Sequence, residues 1–307
     1  MELTWCQSFI AVHETGGFST AARSLHRSQS RISAHVAGLE KYVGDRLFHR
    51  DVHPPTLTAA GAAFLPHARG MVDEWTAAVA SVGMLREEVH GTVAVGSVPS
   101  ASTQILAPVL AGFATTHPHV RFEVHEGPNS WLDEALARRT IEIALRPVIE
   151  QRHDATVQRV VLVRDPFVLV LPEEHPLAQH EQVDLAELAG EAVITTGEAG
   201  LDARIGAEFR TLLAPFDVDE ARSMAVTQPT TVFSFVSHGL GLGLIGDLPG
   251  RMLNVPGLVT RLVRHPDAYR DIAAHWATTR RLSPAGAIFL DEVRASCDRI
   301  FGPPEPS

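Results

Sequence analysis

The stretch Gly17-Phe18-Ser19-Thr20-Ala21-Ala22-Arg23-Ser24-Leu25-His26-Arg27-Ser28-Gln29-Ser30-Arg31-Ile32-Ser33 decides how this chain is read. Two short helical patterns meet in it around a tight turn, and the second opens with small polar residues and an arginine. That second pattern carries Ile32, Val36, Leu39 and Val43, a one-sided apolar stripe at helical spacing. A helix held to a core by the stripe turns Arg31, Ala34, His35 and Gly38 outward. Such a helix suits insertion into a DNA major groove, where its first turn meets base edges. The spacing alone fits any small three-helix domain equally well, so the flanking sequence has to decide.

After the second pattern come Leu39-Glu40, Gly44, Leu47-Phe48-His49-Arg50 and Leu57-Thr58-Ala59-Ala60-Gly61. Together with the Phe, the Ala21-Ala22 pair and Ser28-Gln29 ahead of them, these landmarks resemble the N-terminal domain of the LysR-type transcriptional regulators in order and spacing. The resemblance extends more loosely along nearly the entire chain. It implies an all-α winged helix-turn-helix domain at 1–58 and a linker helix for dimerisation at 59–89. An α/β effector-binding domain would follow at 90–302, built like a periplasmic binding protein from two subdomains, with a disordered tail at 303–307. The first subdomain would comprise about 90–164 and 267–302, the second about 165–266.

The implied function is a regulator whose binding to double-stranded operator DNA responds to a small-molecule effector. It would act as a homodimer or homotetramer with RNA polymerase as a further partner. No cofactor, metal or membrane is expected. The competing reading is a solute-binding module fused to a helical interaction domain, which predicts ligand binding without DNA affinity. An enzyme has no motif behind it.

Bulk properties agree with two domains. The 307 residues, 45% hydrophobic, suffice for a substantial core, and no uninterrupted apolar run of about eighteen residues predicts a membrane span. The N-terminus lacks the basic start and apolar run of a signal peptide. Cys6 and Cys297 stand near opposite ends, which argues against a structural disulfide and for a cytoplasmic location. The net charge of −10 looks wrong for a DNA-binding protein until it is divided. Residues 1–58 carry six basic against five acidic side chains, a net +1, with five histidines besides. Local basicity governs phosphate contact, and +1 is small enough that two copies are expected to be needed.

Within the first domain, Thr4-x-x-Gln7 has the capping-box form, and Ser19 and Ser28 fit as N-caps of the second and third helices. Gln29, Ser30 and Arg31 fill the first turn, with Ser33, Ala34 and His35 following. Arg31 is the candidate for bidentate recognition of guanine. The resemblance assigns Arg50 to a phosphate or minor-groove contact from the wing, with His53 at the wing tip. It also marks departures: a small or apolar residue is usual at Arg31, a basic one at Ala34 and glutamine at His35. Phe64, Ala68, Met71, Trp75, Val79 and Val82 recur at three- and four-residue steps, a stripe suited to pairing with a second copy. Pro66 should bend that helix.

From residue 91 strands and helices alternate, with strands at Thr92–Ser97, His119–Val124 and Ile141–Leu145 and helices at Ile105–Thr115 and Leu132–Arg138. This βαβαβ order predicts a parallel sheet. A strand near Asp271–Trp276 and a helix from Ser283 are expected at the end. Ligands in open α/β sheets sit beyond the carboxyl ends of strands, against helix N-termini. The loop holding Ser100, Ala101, Ser102 and Thr103 offers hydroxyls and amides suited to a carboxylate, although capping explains the serines as well. The resemblance adds Thr195, Thr196, Gln228, Pro229 and Thr230 across the cleft. Arg146 could meet an anionic effector or form an ordinary salt bridge.

Three other signals are set aside. Gly241-x-Gly243-x-x-Gly246 matches a dinucleotide fingerprint but follows a helix and precedes Asp247-Leu248-Pro249, the reverse of the required order. Ser237-His238 are adjacent and do not by themselves form a nucleophile–base pair. The sixteen histidines show no zinc-site spacing.

Overall fold

The computed structural model describes residues 2–49, 52, 54–84, 89–149, 156–197, 204–278 and 281–303. The chain forms two compact units, Met1–Val89 and His90–Ser307.

In the first unit α1 (Leu3–Thr15), α2 (Phe18–Ser24) and α3 (Gln29–Val43) precede a hairpin of β1 (Phe48–His49) and β2 (Thr56–Leu57), and α4 (Ala59–Met84) follows. Cys6, Phe9, Val12, Ala21, Ile32, Val36, Leu39, Leu47, Phe48 and Ala68 are all fully buried in one core. The conspicuous sequence landmarks explain themselves as polar joints around it. Glu40 accepts the backbone N–H groups of Leu47 and Phe48 at 3.0 and 3.4 Å. Thr58 accepts the N–H of Gly61 at 3.0 Å and donates to the Arg46 carbonyl at 2.6 Å. At Gly61 a Cβ would stand 2.1 Å from the Leu47 carbonyl oxygen, so only glycine lets α4 leave the hairpin this closely.

Several local expectations are corrected here. The first helix starts at Leu3, with Glu2 as N-cap and no side-chain cap, and Thr4 donates to the Glu2 carboxylate instead of forming a capping box. Gly17 caps α2, which places Ser19 inside the helix. Val43 is 37% exposed, because the stripe runs past the end of the core. Phe64, Ala68 and Met71 belong to the core of their own unit: Ala68 is fully buried, and the Phe64 ring lies 5.9 Å from that of Phe9. They are therefore already covered, and a pairing stripe of α4 is left with Trp75 and Val79, 60% and 55% exposed. The side chain of Val82 lies outside the described residues.

The second unit is organised around a curled sheet in two halves. In the first, β3 (Gly91–Ser97) pairs in parallel with β4 (Val120–Glu126) and β5 (Ile143–Pro147), and β12 (Tyr269–Ala277) is antiparallel to β5. The 16-residue β6 (Val157–Pro172) pairs with β12 as far as Pro166 and changes partners at Phe167. Beyond that point it pairs with β10 (Leu242–Gly246) and β11 (Leu258–Arg264), β7 (Gln182–Asp184) lies parallel to β11, and β8 (Val193–Thr196) and β9 (Met224–Val226) continue from β10. Two lobes result, with β6 running through both. Helix α7 (Asn129–Ala137) packs in the first lobe, and α8 (Ala207–Leu213), α9 (Pro229–Ser237) and α10 (Asp247–Gly250) in the second.

The helix expected over Ile105–Thr115 begins earlier. A helical run starts with α5 (Pro99–Ala101), passes through a π segment (Ser102–Leu106) and ends with α6 (Ala107–Thr116). Pro99, preset for a helix's first position after the extended Val98, starts it. The C-terminal helix α11 (Pro284–Phe301) is capped by Ser283, whose N–H and hydroxyl are both held by the buried carboxylate of Glu142.

Candidate functional site

Ser28 accepts the backbone N–H of Arg31 at 3.3 Å and so fixes where α3 begins. Ser30 lies against it, its hydroxyl 3.1 Å from that of Ser28. Gln29 accepts the Ser19 hydroxyl at 3.1 Å, tying α3 to α2 across the turn. Gln29, Ser30, Arg31 and Ala34 are exposed and Ser33 half-buried. The first turn thus presents an arginine and short polar groups on a helix anchored by Ile32, Val36 and Leu39.

His35 does not join that face. It is 8% exposed, with Nδ1 2.8 Å from the Ser8 hydroxyl, and fastens α3 to α1. Burial, then the nearby charges of Arg27 and Arg31, lower its pKa and keep the ring neutral. Gly38 also faces inward: a Cβ there would stand 3.3 Å from the Trp5 ring. Arg50 and His53 lie outside the described residues.

In the second unit a cleft of about 300 Å³ opens between the lobes. Ser100, Glu126 and Asn129 line it from the first lobe, and Thr196, Glu208, Thr227, Gln228 and Pro229 from the second. The helical run from Pro99, α7 and α9 all begin at this cavity, and none has a side-chain cap. Their first-turn N–H groups make it receptive to an anionic oxygen. The Thr196 hydroxyl and Asn129 Oδ1 are buried without a hydrogen-bond partner.

Of the expected effector residues, Ser100, Thr196, Gln228 and Pro229 meet at the cavity wall and the others do not. Ser102 bonds to Ser97 at 2.5 Å, Thr103 donates back to the Pro99 carbonyl and Ala101 is fully buried. Thr195 lies beneath the wall, accepting the N–H of Gly206 at 2.8 Å. Thr230 is exposed but outside the lining. Arg146 is 5% exposed, paired with Asp133 at 2.6 Å and absent from the lining, although its neighbour Pro147 belongs to it.

Sequence reasoning missed the cleft's charged groups. Arg270, on β12, contacts Asp165 of β6 at 2.9 Å and Glu208 of α8 at 2.9 Å. Asp165, fully buried, also accepts the N–H of Leu248 at 2.7 Å. Burial opposes the charge on Arg270, but the two carboxylates outweigh it and hold its pKa above the ordinary value. Burial raises that of Asp165, against the pull of Arg270. Nothing in local spacing links residues 62 and 105 positions apart. Glu126 was within reach, since it ends β4 and strand ends are where such sites form.

The signals set aside resolve structurally. Gly243 sits in β10, where a Cβ would stand 2.7 Å from Val232 of α9, so that glycine serves helix–sheet packing. The Ser237 hydroxyl donates to the Ser234 carbonyl at 2.8 Å and lies 3.3 Å from His238 Nδ1, which is itself 2.7 Å from that same carbonyl, so backbone contacts engage both side chains. Cys6 and Cys297 are unpaired and buried, and burial pushes the Cys297 thiol up to about 12. Among the described residues no helix is long and apolar enough to cross a membrane.

Comparison with known proteins agrees with both units. Residues 3–62 match the bacterial regulatory helix-turn-helix protein, lysR family, and residues 86–298 the LysR substrate binding domain. The chain is 28% identical to the HTH-type transcriptional regulator YybE of Bacillus subtilis, over 95% of this chain and 98% of that protein. It is 31% identical to the HTH-type transcriptional regulator ShiR of Corynebacterium glutamicum, over 80% and 82%. A full-length OxyR variant from Pseudomonas aeruginosa superposes with a TM-score of 0.75 at 19% identity, covering 96% of this chain and 95% of that one. The chain belongs to the LysR family of helix-turn-helix transcriptional regulators.

Proposed function

We propose that the first turn of α3 reads operator DNA, with Arg31 on a guanine edge, Ser30, Ser33 and Ala34 beside it, and Ser28 and Gln29 setting the helix start. The wing that carries Arg50 and His53 adds backbone contacts. The cleft between the lobes takes a small-molecule effector, with Ser100, Thr196, Gln228 and Pro229 in its wall. Exposed Trp75 and Val79 pair α4 with a second copy in a homodimer or homotetramer. Effector binding favours one arrangement of the DNA-binding heads over another and thereby changes half-site spacing or DNA bend, and with it RNA polymerase recruitment. The protein performs no catalysis and works in the cytoplasm on the nucleoid.

The observation that carries this reading is an exposed, arginine-bearing first turn on a helix whose opposite face is fully buried. It is tested by binding the purified protein to its own upstream intergenic DNA and to a scrambled duplex at about 150 mM salt, where non-specific attraction is weakened. A footprint over paired half-sites on the first duplex alone is the expected result. Equal binding to both, with and without effector, overturns it.

A further inference from the structure

Resting on the effector reading of the cleft, we infer that its ligand is a zwitterion, a small amino acid with an apolar side chain. Its carboxylate is held at the helix N-termini and its ammonium by Glu126 and Asn129. The N-termini of α7 and α9, each nine residues long and uncapped, supply N–H groups and partial positive charge for one carboxylate. Among the described residues Arg270 is the one cationic side chain in the lining, and it is already engaged by two carboxylates, those of Glu208 and Asp165. Glu126 stands exposed on the wall and forms no ion pair among the described residues. A bare carboxylate would leave it facing a like charge; an ammonium gives it a partner.

Two unpartnered atoms point to a ligand with donors as well as acceptors. Asn129 Oδ1 can only accept, and an ammonium brings three N–H donors. On the opposite wall the hydroxyl of Thr196, a residue 7% exposed, also lacks a partner and can donate to the carboxylate. Leaving such atoms buried and unbonded is costly, so their presence in the lining of one cavity marks it as a built site. Val98, Pro147 and Pro249 complete the wall with apolar surface for a side chain, in a cavity of about 300 Å³.

The test is titration calorimetry of the full-length protein with the twenty L-amino acids, each beside its 2-oxo acid and its decarboxylated amine. At least one apolar amino acid is expected to bind about tenfold or more tightly than either matched compound. Glu126→Gln, a change at an exposed position, should erase that preference over the oxo acid, and Glu126→Arg should reverse it. A 2-oxo acid that binds as tightly as its amino acid, and is lost in Ser100→Trp, overturns the zwitterion while leaving the cleft an effector site. Absence of binding by every amino acid overturns it too. Failure of the effector reading has its own sign: operator occupancy that no fraction of cell metabolites alters.

Discussion

Arg31 is exposed where a recognition helix begins, and the hydrogen bond from its own backbone N–H to Ser28 fixes the register of that turn. Arg31→Ala removes the guanidinium and leaves the cap and buried stripe untouched. It should weaken operator binding by about 1–3 kcal/mol without altering melting temperature or mass. Unchanged discrimination between operator and scrambled duplex in a fluorescence titration would refute its base-reading role. His275 governs a different property. It is 2% exposed, and burial, with Arg146 and Arg159 nearby, lowers its pKa to about 3 from an ordinary 6.5. The folded protein therefore keeps it neutral while the unfolded chain protonates it. Its contribution is whole above about pH 6.5 and is lost as pH falls toward about 3, at up to about 1.4 kcal/mol per pH unit. Urea unfolding of the wild type and His275→Leu at stepped pH checks this. The wild type should lose stability relative to the variant on acidification below about pH 6.5, and a pH-independent difference overturns the assignment.

At the scale of elements, β6 is the one strand that pairs in both lobes among the described residues, and Arg270 of the neighbouring β12 ties it to α8 of the second lobe. Arg270→Ala would strand the fully buried Asp165 and the carboxylate of Glu208. The expected cost is about 3–5 kcal/mol, read as a lower denaturant midpoint. A loss below about 1 kcal/mol would mean that water or a neighbour replaces the guanidinium. This network also shows the limit of the sequence. Ser28, Glu40 and Gly61 were legible because capping, the landmark pattern and helix spacing are short-range signals. His35 misled through its polarity alone: it lies three residues after Ile32 and four before Leu39, on the core face by geometry, and Ser8 makes that position tolerable. Phe64 and Met71 carried a correct helical period that cannot say which surface it meets. Arg270, Asp165 and Glu208 come together only when β6 and β12 pair, so no local pattern announces them.

Over the whole molecule, charge and exposed apolar surface point the same way. The chain carries −10 overall and only +1 across residues 1–58, so one DNA-binding head gains little from phosphate attraction. Two heads held together turn the second contact into an intramolecular event, which multiplies affinity without any new base contact. The described part of α4 offers the means in Trp75 and Val79, large apolar side chains 60% and 55% exposed four residues apart on one helical face. Trp75→Glu places a charge in that seam, where its burial against an apolar partner is unfavourable. The core that holds Phe64, Ala68 and Met71 lies elsewhere on α4, so the variant should remain folded by circular dichroism. Its mass in light scattering should fall, and its operator footprint should shrink from paired half-sites to weak single-site occupancy. A variant that keeps the wild-type mass would refute α4 as the pairing element; one that loses mass yet retains the full paired footprint would show that dimerisation on DNA does not depend on this seam.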